Sequence, residues 1–87
     1  MDARIDKQEL VRRVARRVDR DAEAVAEITD ALLEEIYEAL KGGQPVSLRD
    51  FGSFYVRPGR EQWVFKFNPS QRLRKALGWS STHRGEV

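Results

Sequence analysis

The sequence predicts an α+β fold: two helices, a short antiparallel sheet, then a short final helix. Three observations predict it. Apolar residues recur at helical spacing up to Lys41, then alternate residue by residue from Val46 onward. Gly42, Gly43 and Pro45 stand at the switch, where a left-handed residue ends a helix and a proline forbids its continuation. The stretch from Pro45 to Val56 then places two alternating runs on either side of Asp50-Phe51-Gly52, where the chain can turn or bulge.

Asp6 is the N-cap candidate of the first helix, and Glu9 completes a capping-box pattern ahead of Leu10 and Val11. Leu10, Val11, Val14, Ala15 and Val18 take one face, and Arg12, Arg13, Arg16 and Arg17 the other. This helix is read from Lys7 to Val18. Asp19 is the next cap candidate, and the second helix is read from near Arg20 to Lys41. Val25, Ile28, Leu32, Leu33, Ile36, Tyr37 and Leu40 form its apolar stripe, opposite Glu23, Glu27, Asp30, Glu34 and Glu38. That stripe is broad for one short partner helix, so part of it is expected on a second subunit.

Val46 and Leu48 alternate with Ser47 and Arg49 in the first strand. In the second, Phe54 and Val56 share a face, with Tyr55 and Arg57 on the other. The dipeptide Pro58-Gly59 suits the centre of a type II turn. Glu61 to Phe67 reads as the returning strand, Trp63, Phe65 and Phe67 alternating against Gln62, Val64 and Lys66. Asn68-Pro69-Ser70 breaks it, Ser70 caps a last helix through Leu77, and Gly78 closes that helix. Residues 1–79 are expected to form a single domain, followed by a flexible polar tail at 80–87.

A chain of 87 residues is small, and one this short buries only about 60% of the surface its unfolded form exposes. With no cysteine and one histidine, neither a disulfide nor the usual Cys/His metal set stabilises it. A homodimer is the simplest way to bury its aromatic and aliphatic residues. No apolar run is long enough to span a membrane, and none reads as a secretory core, so the expectation is a soluble intracellular protein. Net charge is only +2, but it is unevenly placed. Up to Pro45 there are eight Lys/Arg against eleven Asp/Glu; from Val46 onward there are eight against three. The sheet-bearing half is therefore the one expected to face a polyanion.

Four pieces carry a family resemblance: Asp6-Lys7-Gln8-Glu9-Leu10, Gly43-Gln44-Pro45-Val46-Ser47-Leu48, Phe51-Gly52-Ser53-Phe54-Tyr55-Val56-Arg57, and the run from Val64 to Arg74. In this order, over nearly the whole chain, they resemble the HU/integration host factor family of bacterial DNA-binding proteins. The resemblance implies an intertwined dimer with a phenylalanine-rich sheet, in which Phe51, Phe54 and Phe67 match core positions. Leu32, Ile36 and Leu48 are expected to join that dimer core. It also implies a nucleoid-associated role. One departure matters most. Family members extend the second and third strands into a long basic arm that enters the minor groove and kinks the duplex. This chain passes from Arg57 to Trp63 through five residues, so the arm is missing and a wedge-inserting mode is not expected. Asn68 and Gln71 also stand where relatives often carry lysine.

The function expected is binding of double-stranded DNA through phosphates, with little sequence preference and little bending. The candidate contacts are Arg57, Arg60, Lys66, Ser70, Arg72, Arg74 and Lys75, with Arg49 a weaker one. Two other readings stay open: a dimeric protein-interaction module using exposed Trp63, Phe65 and Trp79, and a single-strand binder stacking bases on Trp63 and Tyr55. The arginines of the first helix resemble a nucleic-acid stripe, but ion pairs with Glu23, Glu27, Asp30 and Glu34 explain both sets of charges without a ligand. No catalytic residues are expected, since His83 lies in the tail and the carboxylates of the second helix do not converge. No metal, cofactor or small-molecule substrate is expected either.

Overall fold

The computed structural model describes residues 4–78, in two units that meet in sequence between Glu35 and Ile36. The elements are α1 (Lys7–Val18), α2 (Ala22–Lys41), β1 (Val46–Leu48), β2 (Gly52–Pro58), β3 (Trp63–Pro69) and α3 (Gln71–Leu77). The expectations for Trp79, His83 and the tail lie outside the described residues.

α1 begins as its capping residue dictates. Asp6 holds an extended backbone, and its carboxylate accepts the Glu9 N–H at 2.9 Å. The reciprocal half of the capping box is not formed. The Glu9 carboxylate instead accepts from Arg12 at 2.8 Å and Arg13 at 3.0 Å, because charge-assisted bonds outcompete a neutral backbone donor. The Arg12 bond first, and the Arg13 bond second, hold the Glu9 carboxyl below the usual range.

Asp19 does not open α2. It closes α1, in the left-handed conformation (φ 56°), with its N–H directed at the Ala15 and Arg16 carbonyls. A residue in that conformation cannot also hold the extended backbone of an N-cap. Asp21 takes that role, its Oδ2 accepting the Ala24 N–H at 3.3 Å, and α2 starts at Ala22 rather than near Arg20.

Within the helical unit Val11, Ala15 and Val25 are buried, with Ala26 packed against them. The rest of the stripe stays open. Leu10, Val14, Val18, Ile28 and Leu32 are exposed and line an apolar groove of about 670 Å³ with residues from both helices. The ion pairs expected between the helices are also largely absent. Lys7 bridges to Asp30, Arg12 and Arg13 turn to Glu9 on their own helix, and Arg16 and Arg17 have no ion-pair partner among the described residues.

In the second unit the sheet has the order β1-β2-β3, antiparallel throughout. Phe51 N–H donates to the Leu48 carbonyl at 2.9 Å, closing a turn whose left-handed position is Asp50 (φ 66°). A short polar side chain tolerates that conformation better than most. The distal turn differs from the expected one. Pro58 pairs with Trp63, and Gly59 N–H donates to the Gln62 carbonyl at 2.8 Å, so the tip is Arg60-Glu61. Gly59 has no positive φ among the glycines that do, so Pro58-Gly59 is not the centre of a type II turn. β3 consequently starts at Trp63 rather than Glu61 and runs through Pro69, which pairs with Gly52. A proline is accepted there because β3 is an edge strand and Pro69 its last residue.

Two outcomes follow from these local geometries. A Cβ added at Gly52 (φ 156°) would fall 2.6 Å from the Phe67 ring and 2.7 Å from the Asn68 carbonyl oxygen. Gly52→Ala is expected to cost about 2 kcal/mol in chemical denaturation; an unchanged midpoint would contradict this packing. For Glu9, an NMR titration should give a midpoint below the usual value of about 4.3. The sign is that of a depressed carboxyl: its small, solvent-screened contribution to stability is present above the unfolded-state value and lost as pH falls through the folded one.

Candidate nucleic-acid interface

The strand register sorts the sheet side chains into two faces. Val46 opposes Phe54, which opposes Phe67; Val56 opposes Phe65, and Pro58 opposes Trp63. These residues share the apolar face. There Phe54 and Phe67 lie with ring centroids 4.8 Å apart, Phe51 and Phe67 5.7 Å apart, and Phe54 and Phe65 5.9 Å apart. Such spacings suit aromatic pairs. The cluster is not closed within one chain: Phe51, Phe65 and Trp63 are exposed, and Phe54, Phe67 and Leu48 are half-buried.

Ser47, Ser53, Tyr55, Arg57, Val64, Lys66 and Asn68 take the other face. Ser53 Oγ donates to Ser47 Oγ at 3.3 Å, tying β1 to β2 there. Tyr55 opposes Lys66, and Arg57 follows on the same side. This face therefore carries two of the expected cations beside one aromatic ring. Trp63 and Tyr55, the stacking residues of the single-strand reading, belong to opposite faces of the sheet.

α3 is attached to this unit by its first turn. The Ser70 N–H donates to the Phe51 carbonyl at 2.9 Å, and Ser70 Oγ accepts the Leu73 N–H at 3.1 Å. The hydroxyl is thus a cap before it is anything else. Arg74 reaches back to β3, its Nη2 donating to Asn68 Oδ1 at 3.0 Å, while its Nε is buried without an acceptor among the described residues. Asn68, read from the sequence as a strand breaker and a missing lysine, is the last but one residue of β3 and the anchor of Arg74; their spacing of six residues across a strand–helix junction gave no local signal of it. Arg72 and Lys75, three residues apart on one side of α3, remain exposed. Arg49 sits exposed in the β1–β2 turn and Arg60 at the hairpin tip, next to Glu61. The expected cations are thus distributed over the polar sheet face, both turns and α3, with Arg74 partly committed to holding α3 in place. No group of metal-ligating side chains occurs among the described residues.

A family model described as bacterial DNA-binding protein matches residues 5–63, from two residues before α1 to the first residue of β3. The chain belongs to the bacterial DNA-binding protein family. Within this family, the DNA-binding protein HU of Thermotoga maritima is 45% identical over 87 aligned residues, covering 82% of this chain and 97% of the relative. The aligned stretch is as long as this whole chain yet uses only 82% of it. HU therefore carries residues with no counterpart here, in keeping with a shortened hairpin. Among solved structures, a point mutant of HU from Thermotoga maritima superposes with a TM-score of 0.76 at 37% identity, over 84% of this chain and 99% of that one. An HU–DNA cocrystal structure from Anabaena gives 0.74 at 28% identity, over 84% and 97%. The three helices and three-stranded sheet found here are thus the fold of the HU family.

Because Ser70 joins β3 to α3, its loss is felt in folding. Ser70→Ala is expected to lower stability by about 1 kcal/mol, seen as a lower denaturation midpoint at unchanged m-value. A midpoint equal to the parent's would mean that the cap is not formed in solution.

Proposed function

We propose that this chain is a homodimeric, nucleoid-associated protein. It binds double-stranded DNA mainly through phosphates, with little sequence preference and little bending. It is not an enzyme, and it uses no cofactor or small-molecule substrate. The observation that carries this reading is the two-faced sheet: aromatic rings on one side, Arg57 and Lys66 with Tyr55 on the other, in a chain of the HU family. The relatives' names support the DNA partner, since the Thermotoga protein is named DNA-binding and the Anabaena HU was crystallised with DNA.

Dimerisation is supported by apolar surface that one chain leaves uncovered. Leu32 and Phe51 are about half exposed, at 53% and 46%, and Phe65 is 57% exposed. Together with the open groove on α1 and α2, this is more apolar area than a solitary soluble chain leaves in water. Residues 1–79 act in this reading as one dimerising domain. Location in the nucleoid follows from the DNA partner; among the described residues no helix is long and apolar enough to cross a membrane.

Weak bending follows from the hairpin. β2 and β3 are seven residues each and close on a two-residue tip. At about 3.3 Å per residue, the four pairs beyond Phe54 extend only about 13 Å, and no apolar wedge stands at the tip. Arg49, Arg57, Arg60, Lys66, Arg72 and Lys75 supply the phosphate contacts in this reading, with Ser70 and Arg74 as further contacts.

The test is a duplex titration at two salt concentrations, combined with a bend measurement by energy transfer between the duplex ends. Binding should weaken steeply with salt, at a log–log slope near 0.9 per phosphate contacted, and the end-to-end distance should change little. Arg72→Glu with Lys75→Glu should reduce affinity at low salt by at least about tenfold, as repulsion replaces attraction. An unbound duplex at low salt, unaffected by that charge reversal, would favour the protein-interaction reading. A sharp kink would refute weak bending.

A further inference from the structure

We propose that the arginine ridge of α1 is a second duplex-DNA contact surface, additional to the one on the sheet and α3; this rests on the DNA-binding reading above. Arg12, Arg13, Arg16 and Arg17 lie on the side of α1 opposite Val11 and Ala15, the residues that face the helical core. At 3.6 residues per turn, Arg12 with Arg16 and Arg13 with Arg17 form two adjacent columns, each rising about 6 Å. A duplex presents a phosphate about every 3.4 Å along each strand, so the ridge faces two or three phosphates at once.

The bland explanation of these charges, pairing with the acidic side of α2, is the one the geometry removes. Asp30 is engaged by Lys7, and the one carboxylate on the ridge, Glu9, is shared by Arg12 and Arg13. Four guanidinium groups thus meet a single neutralising charge, and Arg16 and Arg17 are exposed with no ion pair among the described residues. The helix dipole favours cations in the last turn, where Arg16 and Arg17 sit. It does not account for Arg12 and Arg13, nor for the choice of arginine, whose planar fork matches phosphate oxygens. A second copy's α2 is a poorer occupant. Its Glu23, Glu27, Glu34 and Glu38 are spread along a helix of twenty residues, so few reach a ridge of less than two turns at once.

The experiment compares the full-length parent with an Arg16→Gln/Arg17→Gln variant on a mixed-sequence duplex, at roughly 50 and 200 mM salt. The expected result is weaker binding at low salt and a log–log slope shallower by about 1.8, two contacts at 0.9 each, with helical circular dichroism and sedimentation unchanged. The inference is overturned if this variant keeps the parent's affinity and slope while Arg72→Gln/Lys75→Gln lowers both. It is also overturned if the variant instead loses self-association without DNA and Glu23→Gln/Glu27→Gln reproduces that loss, which would assign the ridge to a second copy. A parent that leaves the duplex unbound would sink the DNA-binding reading itself, and this surface with it.

Discussion

The structure depends on the mutual burial of phenylalanine rings that one chain cannot complete. Phe54 stands at the centre, within 6.4 Å of Phe51, 5.9 Å of Phe65 and 4.8 Å of Phe67 by ring centroid. Those contacts fix the register of β2 on β3, because a slip of one residue would turn every ring to the polar face. They also explain Gly52. Only a residue without a Cβ lets the backbone lie against the Phe67 ring while Phe51 still reaches the cluster. The same rings are left partly in water, and among the described residues only Val11, Ala15 and Val25 are buried hydrophobics. For the homodimer proposed above, folding and association are then one problem, as for other small chains with little interior of their own.

Much of this was legible in the sequence wherever the signal was local. α1 and α3 have the bounds that their caps predict, since Asp6, Ser70 and Gly78 act on neighbours within four residues. The two faces of β2 follow from simple alternation. What was not legible depended on partners distant in the chain or on competition between equals. Asp19 and Asp21 are both good caps by type, and only the backbone path decides between them. The offset of β3 by two residues is set by pairing with β2, which no turn dipeptide encodes. Pro58-Gly59 has the composition of a turn centre, yet the ring cluster fixes the register and moves the tip outward to Arg60-Glu61.

The candidate site shows the same division. The cationic character of the second half was plain from charge counting, and Arg57 and Lys66 could be placed on one side by period alone. The roles of individual side chains could not. Arg74 reads like its neighbours Arg72 and Lys75 but is bound to Asn68 and so helps hold α3 against the strand. The arginines of α1 read as members of an inter-helix network, whereas Arg12 and Arg13 pair with Glu9 on their own helix, at i−3 and i−4. Long charged side chains choose partners by reach and geometry, and sequence spacing constrains that choice only within a helix.

The compact hairpin has a consequence for kinetics. A protein that threads a ribbon between two strands must withdraw it before leaving, whereas a tip closed at Arg60-Glu61 has nothing to withdraw. In the phosphate-contact mode proposed above, release then requires only that counterions return to the phosphates. Residence on any one stretch would be brief, and copies would redistribute freely as the genome is copied or read.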